Sequence, residues 1–203
     1  DQTYFLWALS QDQLARTIFP LGDYLKSEVK DMAVDLGFDY FMKKSESFDI
    51  CFVGDASYEE FLLTKYPHLK DLDGGDITLS DGTVVGKHRG YPFYTVGQRK
   101  GLGLSLGYPV YVLAVDNVNN RIVVGTIDEL TTKMVRIDGI NMMKGDMDSV
   151  LDKDFIVKVR SMDRGTPARV VLDPLPHIVF LADVKGGVAP GQSAVVYDGD
   201  DVV

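Results

Sequence analysis

The sequence contains one cysteine, and one thiol among 203 residues excludes an internal disulfide framework and a cysteine-based metal cluster. Cys51 is therefore a free thiol that needs an explanation. No apolar run approaches the ~18 residues of a membrane helix, and the first residues lack the basic flank and small-residue cleavage site of a secretory signal. A cytoplasmic chain without membrane association is expected. There is no initiating methionine; Asp1 leads directly into the apolar helical pattern Tyr4, Phe5, Leu6, Ala8, Leu9, which reads as the interior of a longer protein. Basic charge is also scarce, with 21 Lys and Arg against 30 Asp and Glu for a net charge of −9. Taken whole, that balance argues against a nucleic-acid partner, because phosphate binding needs clustered cations.

Resolved along the chain, the deficit changes meaning. Residues 1–81 hold 16 acidic and 7 basic side chains, whereas residues 82–203 hold 14 of each. From Gly82 to Val115 there is no Asp or Glu, while Lys87, His88, Arg89, Arg99 and Lys100 are present. A second basic cluster, Lys158, Arg160, Arg164 and Arg169, is diluted only by Asp163. Overall sign is thus a poor guide to the local field. What remains, 45% hydrophobic and 25% charged, is ordinary globular composition that excludes disorder, collagen and coiled coil.

Periodicity divides the chain. Ser10 with Gln13 forms a capping-box pair ahead of Leu14, Ala15 and Ile18, with Pro20 and Gly22 as terminators. Leu25, Val29, Met32, Ala33 and Leu36 predict an amphipathic helix ended by Gly37. Short helices of this kind cannot bury a core alone. Ile50–Val53 reads as a short buried strand holding Cys51, and Ser57 with Glu60 caps a helix that runs to Tyr66 before Pro67. Ile77, Leu79, the Asp81-Gly82 turn and Val84 predict a hairpin. Gly86–Gly107 carries six glycines and is too irregular for a long element, so it is expected to be functional or disordered. Seven β-rich segments follow: Val110–Val115, Arg121–Thr126, Met134–Ile137, Phe155–Arg160, Ala168–Leu172, Ile178–Val184 and Ala194–Tyr197. The expected class is α+β, mainly β: a helical part over 1–45, a small mixed α/β central domain over 46–109 and a C-terminal β-barrel over 110–203.

Three features could carry chemistry. Cys51 can serve as nucleophile or sulfur carrier if its thiol is activated, although Ile-Cys-Phe-Val equally suits a small buried hydrophobe. Tyr94–Gly103, reading Tyr-Thr-Val-Gly-Gln-Arg-Lys-Gly-Leu-Gly, joins glycines that allow close backbone approach to donors for phosphate or carboxylate. The order is not that of a Walker loop, and a solvated basic turn is the alternative. Lys158 and Arg160, at alternate positions of an expected strand, share one face suited to RNA, or simply to solvent. His68, His88 and His177 are too scattered for a metal site, and no metal is expected.

Read together, these segments resemble the bacterial-type tRNA-specific 2-thiouridylases, which place sulfur on the wobble uridine of tRNA. Asp1–Trp7 is similar to the family's K-D-Q-S-Y-F-L segment and Phe19–Gly22 to its F-P-L-G; Lys43–Gly54 resembles the stretch around its second catalytic cysteine. Tyr94–Gly103 matches Y-T-I-G-Q-R-K-G-L-G with one conservative change at Val96, and Pro190–Ala194 matches the closing barrel motif. The resemblance implies an ATP-pyrophosphatase domain with an S-G-G-x-D-S loop and a first cysteine, followed by a central domain and a barrel that hold tRNA. ATP, the co-substrate of the full-length enzyme, adenylates the uridine. Sulfur from a donor protein then arrives as a persulfide on Cys51, and the partner cysteine forms a disulfide as it is released. Asp1, Gln2 and Gln192 are implied tRNA contacts, and Arg160 and Ser161 fall in the basic contact segment, where the family's R-Y-R reads Arg160-Ser161-Met162. Arg99 and Lys100 either order the central domain or approach the tRNA backbone.

Neither the S-G-G-x-D-S loop nor a second cysteine occurs in these residues. The chain is accordingly expected to be the C-terminal portion of such an enzyme, inactive alone, with residues 1–45 the remainder of the catalytic domain. Its oligomeric state is open, since apolar surface facing an absent domain could associate. The competing expectation is a non-catalytic RNA-binding β-barrel module in which Cys51 is merely buried; a translation-factor-like barrel leaves Tyr94–Gly103 unexplained.

Overall fold

Alternating apolar and polar residues after Asp76 become strands wherever one face can be buried, and the sheets follow from that rule. The computed structural model describes residues 3–42, 53, 57–184 and 186–203. The expected strand around Cys51 lies outside the described residues. Two compact units are distinguished, one of residues 10–61 and the other of 1–9 with 62–203.

Within the smaller unit, helix α1 (Gln11–Leu14) starts on the expected capping box: the Ser10 hydroxyl accepts the Gln13 amide, and the Gln13 side chain accepts the Ser10 N–H at 2.8 Å. Helix α2 (Lys26–Asp35) ends in a Schellman motif, with Gly37 N–H donating to Val34 and Phe38 N–H to Ala33, both at 2.8 Å. Gly37 has φ of 81°, the left-handed conformation in which a side chain is strained. Neither helix buries a residue fully, and Ile18, Phe19, Leu21, Tyr24, Leu25, Leu36 and Phe38 are exposed. Local capping, rather than a core, defines these elements. Helix α3 (Tyr58–Lys65) begins with reciprocal Ser57 and Glu60 hydrogen bonds, and Pro67 opens the 3-10 turn that follows it.

In the larger unit the predicted hairpin is strands β1 (Gly75–Thr78) and β2 (Val84–His88). Strands β3 (Tyr111–Asp116) and β4 (Arg121–Gly125) join it, in the order β2-β1-β4-β3, with β1 and β4 parallel. This changes one boundary. The first two segments expected in the barrel belong to the central sheet, so the division by strand pairing falls after Gly125 rather than at Pro109. The cause is burial: Ile77, Val112, Ile122 and Val124 are all fully buried in one cluster, and β3 and β4 cannot cover their apolar face elsewhere. Each such side chain contributes roughly 1.5–3 kcal/mol relative to exposure.

The glycine-rich segment is ordered by the same core. Tyr94 and Leu102 are buried in it, with Phe93, Leu104 and Leu106 packed alongside. His88, 1% exposed, closes the end of β2: its Nδ1 accepts the Gly90 N–H, so Nε2 carries the proton toward the Asn120 carbonyl, each at 3.0 Å.

After a 3-10 turn at Asp128–Leu130 come β5 (Thr132–Arg136), the short helix α4 (Met147–Val150), β6 (Asp154–Lys158), β7 (Thr166–Leu172), β8 (Pro176–Val184), β9 (Val195–Asp198) and β10 (Asp201–Val202). All pairings are antiparallel, in the order β10-β9-β6-β7-β8-β5. The sheet is barrel-like but open, with β10 and β5 as its edges. Alternation along β6 buries Phe155 and Val157, and Val157 packs with Ala168, Ile178 and Phe180.

Candidate nucleic-acid interface

Residues far apart in the chain meet where the opening segment crosses the C-terminal sheet. Tyr4 is buried with Val195 and Tyr197, and Trp7 packs on the same cluster. The Tyr4 hydroxyl donates to the Ser193 carbonyl at 2.7 Å, joining residues 189 apart. Thr3 and Tyr197 share a hydroxyl hydrogen bond of 3.2 Å, and Asn141 donates to the carbonyls of Trp7 and Leu9. Burial pushes the Tyr4 phenol up, Tyr197 and Asp163 add to that shift, and Arg160 opposes it. Tyr4 is accordingly a durable neutral donor.

Gln192 stands beside this tie. It is exposed, in a turn where its N–H donates to the Ala189 carbonyl. It also lines a groove of about 660 Å³ whose walls include Tyr91, Thr95, Val96, Leu130 and Gly187. The groove brings the closing motif of the C-terminal sheet next to the glycine-rich loop, an adjacency that spacing could not reveal.

The loop divides its polar residues by task. Gln98 braces it: its Oε1 accepts the Thr95 N–H at 3.1 Å, its Nε2 donates to the Lys100 carbonyl at 2.9 Å, and its backbone carbonyl accepts the Val112 N–H. Arg99 and Lys100 are exposed at the tip. Lys87, from the same acid-free stretch, pairs with Asp76 at 2.7 Å across β1 and β2. Arg89 of the same stretch is exposed as well, and Arg99 and Lys100 are the two exposed cations that the loop itself carries.

The second basic cluster does not form one face. Lys158 sits over the Tyr197 ring, 4.6 Å from its centroid, and Arg169 pairs with Asp154. β6 ends at Lys158, and although inward-outward alternation continues through buried Val159, the Arg160 guanidinium is taken up by the Gly186 and Gly187 carbonyls rather than offered on a shared face. Ser161 is half-buried and Arg164 exposed in the following turn. Asp1, Gln2 and Cys51 lie outside the described residues. Among the described residues, no group of three or more His, Cys, Asp or Glu is placed to hold a metal ion, and no helix is long and apolar enough to cross a membrane.

Sequence reasoning missed Tyr4, Ser193 and Gly97 as the residues that join these motifs. The only signal for them was their position inside segments singled out for other residues.

Three family models match consecutive parts of the chain: a tRNA methyl transferase HUP domain over residues 1–55, a tRNA methyl transferase PRC-barrel domain over 60–126, and an aminomethyltransferase beta-barrel domain over 132–203. The change between the last two coincides with the change of sheet after β4. Curated relatives are tRNA-specific 2-thiouridylases MnmA. The chain is 46% identical to that of Amoebophilus asiaticus, 46% to that of Cytophaga hutchinsonii and 41% to that of Salinibacter ruber. Each match covers 100% of the chain and 54%, 55% and 53% of the relative, respectively, so the chain spans about half the length of these relatives.

Proposed function

Because the chain belongs to the tRNA-specific 2-thiouridylase family, we propose that it is the part of such an enzyme that holds tRNA and carries a sulfur-bearing cysteine. The observation that carries the reading is the Tyr4–Ser193 hydrogen bond, which draws the opening motif and the Gln192 motif together beside the glycine-rich loop. Asp1 and Gln2 immediately precede that tie in the chain, and Gln192 is next to Ser193. Polar groups at the joined motifs hydrogen-bond the tRNA, while Arg99 and Lys100 supply charge for its phosphates.

In this reading Cys51 receives sulfur as a persulfide from a cytoplasmic donor protein. Its terminal sulfur attacks C2 of the wobble uridine, whose O2 leaves with AMP from an adenylate made by the full-length enzyme. A second cysteine of that enzyme then attacks the Cys51 sulfur, forming a disulfide with it and releasing the 2-thiocarbonyl. A persulfide suits the task because it is more acidic and more nucleophilic than a thiol. Relatives of this kind use ATP as co-substrate. No S-G-G-x-D-S loop occurs in the chain, and no ATP-dependent step is assigned to its residues.

The test is tRNA binding by the full-length protein with Arg99→Ala and Lys100→Ala combined, measured across a series of salt concentrations. Each cation withdrawn from a phosphate lowers the slope of log K against log salt by about 0.7–0.9. Weaker binding with a slope shallower by about 1.5 is the expected result. Unchanged affinity and slope would remove the loop from the interface.

A further inference from the structure

Arg160 is expected from the family resemblance to touch tRNA, yet its guanidinium faces the protein. One terminal nitrogen donates to both the Gly186 and the Gly187 carbonyls, the latter at 2.8 Å. The backbone that delivers Arg160 is itself held: its carbonyl accepts the Asp163 N–H at 3.0 Å, and Asp163 Oδ2 accepts the Val159 N–H at 3.2 Å. Gly186 and Gly187 both take left-handed φ, 89° and 68°, which aims two successive carbonyls at a single donor.

The far side of that turn carries the glycine-rich loop. A Cβ on Gly97 would overlap the Gly186 carbonyl oxygen and lie 3.0 Å from the Arg160 guanidinium. One on Gly187 would lie 3.4 Å from Val96. Gly97 also has φ of 88°, so both its conformation and its surroundings exclude a side chain. From the other direction, Gly97 N–H donates to the Val112 carbonyl and Val112 N–H to the Gln98 carbonyl, at 2.8 and 2.9 Å. The loop is thus pinned to β3 on one side and seated on the Gly186–Gly187 turn on the other.

We infer that Arg160 is a positioning residue: it fixes the Gly186–Gly187 turn as the seat of Gly97 and so sets where the Arg99–Lys100 tip stands relative to the C-terminal sheet. Removing the guanidinium leaves two part-buried carbonyls without their donor, and the turn relaxes to find others. The loop then loses its seat while its bonds to β3 persist. Lysine keeps the charge but not the planar, forked donor geometry, so it restores the seat only in part. The consequence for tRNA rests on the proposed function; the joint itself does not.

The experiment uses the full-length protein with Arg160→Ala, Arg160→Lys and Gly97→Ala. Amide hydrogen exchange over residues 95–103 and 186–188, without tRNA, reads the joint directly. Faster exchange in Arg160→Ala and Gly97→Ala, with Arg160→Lys intermediate and exchange of β6 and β7 unchanged, supports it. Exchange at wild-type level in folded Arg160→Ala overturns it. Steady-state thiolation reads the consequence: KM for tRNA rises roughly tenfold at near-constant kcat, with partial recovery in Arg160→Lys. Wild-type loop exchange together with a salt slope reduced by about one makes Arg160 a direct phosphate ligand and also overturns the proposal. Faster loop exchange with unchanged tRNA KM leaves the joint standing and refutes the role of the loop in binding tRNA.

Discussion

At the scale of single residues, several polar groups of the candidate motifs bind the protein itself rather than face outward. Gln98 is spent on its own loop, Lys158 on an aromatic ring, Arg169 on Asp154, and His88 on a backbone amide and a carbonyl. Tyr4 reaches across nearly the whole chain. Changing Tyr4 to Phe removes one hydrogen bond and leaves the Ser193 carbonyl with less compensation, at a cost of about 1 kcal/mol. Denaturant unfolding should show that loss, and tRNA affinity should fall with it because the two motifs are no longer held together. Loss of stability without loss of affinity would mean that the tie is structural only. The sequence marked Tyr4 as helix-forming and apolar; nothing in local spacing could announce a partner 189 residues away.

At the scale of elements, the linker between the two sheets is clasped by a carboxylate. Glu129 accepts the Thr126 N–H at 2.7 Å and the Thr126 hydroxyl at 3.0 Å through one oxygen, and the Ser80 hydroxyl through the other. The Ser80 hydrogen bond and then the two from Thr126 hold its carboxyl below the usual range, against a small opposing effect of burial and Asp81. A carboxyl whose folded value is depressed stabilises the fold above its unfolded value, and that contribution is lost as pH falls through the folded one. Glu129→Gln should therefore lower Tm at neutral pH, with the gap from wild type narrowing as the medium is acidified below the ordinary glutamate range. Thermal melts across that range provide the check, and a constant gap would contradict it. Capping was legible in advance: Ser10 with Gln13, Ser57 with Glu60 and the Gly37 stop all stand where spacing placed them. Those signals are local, so they survive without knowledge of the fold. The parallel pairing of β1 with β4 was not legible, because no turn joins them and their register depends on a shared core.

At the scale of the whole molecule, charge and chemistry are separated along the chain. The acidic excess lies in residues 1–81, together with Cys51, while the exposed cations proposed for tRNA lie at 99 and 100. Binding and sulfur transfer should then come apart by mutation. In the full-length protein, Cys51→Ala is expected to abolish 2-thiouridine, measured by nucleoside mass spectrometry, while tRNA affinity stays within about twofold, less than ~0.5 kcal/mol. The Arg99 and Lys100 substitutions should do the reverse, weakening tRNA capture without disabling the thiol. Normal thiolation in Cys51→Ala would return that residue to the role of a small buried hydrophobe.

The sequence by itself determined the elements and the family. All seven β-rich segments after Pro109 form strands within a residue or two of their predicted ends, since period-two burial is written in neighbouring residues. Motif identity is likewise a property of short contiguous stretches. Only the tertiary structure decided which strands share a sheet, which cations remain exposed, and that Arg160 points inward. Each of these depends on groups brought close from distant parts of the chain, where hydrogen-bond geometry and excluded volume act over a few ångströms regardless of sequence separation. A basic cluster read in one dimension became, in three, a cation over a ring, an ion pair, one exposed arginine and a seat for a glycine.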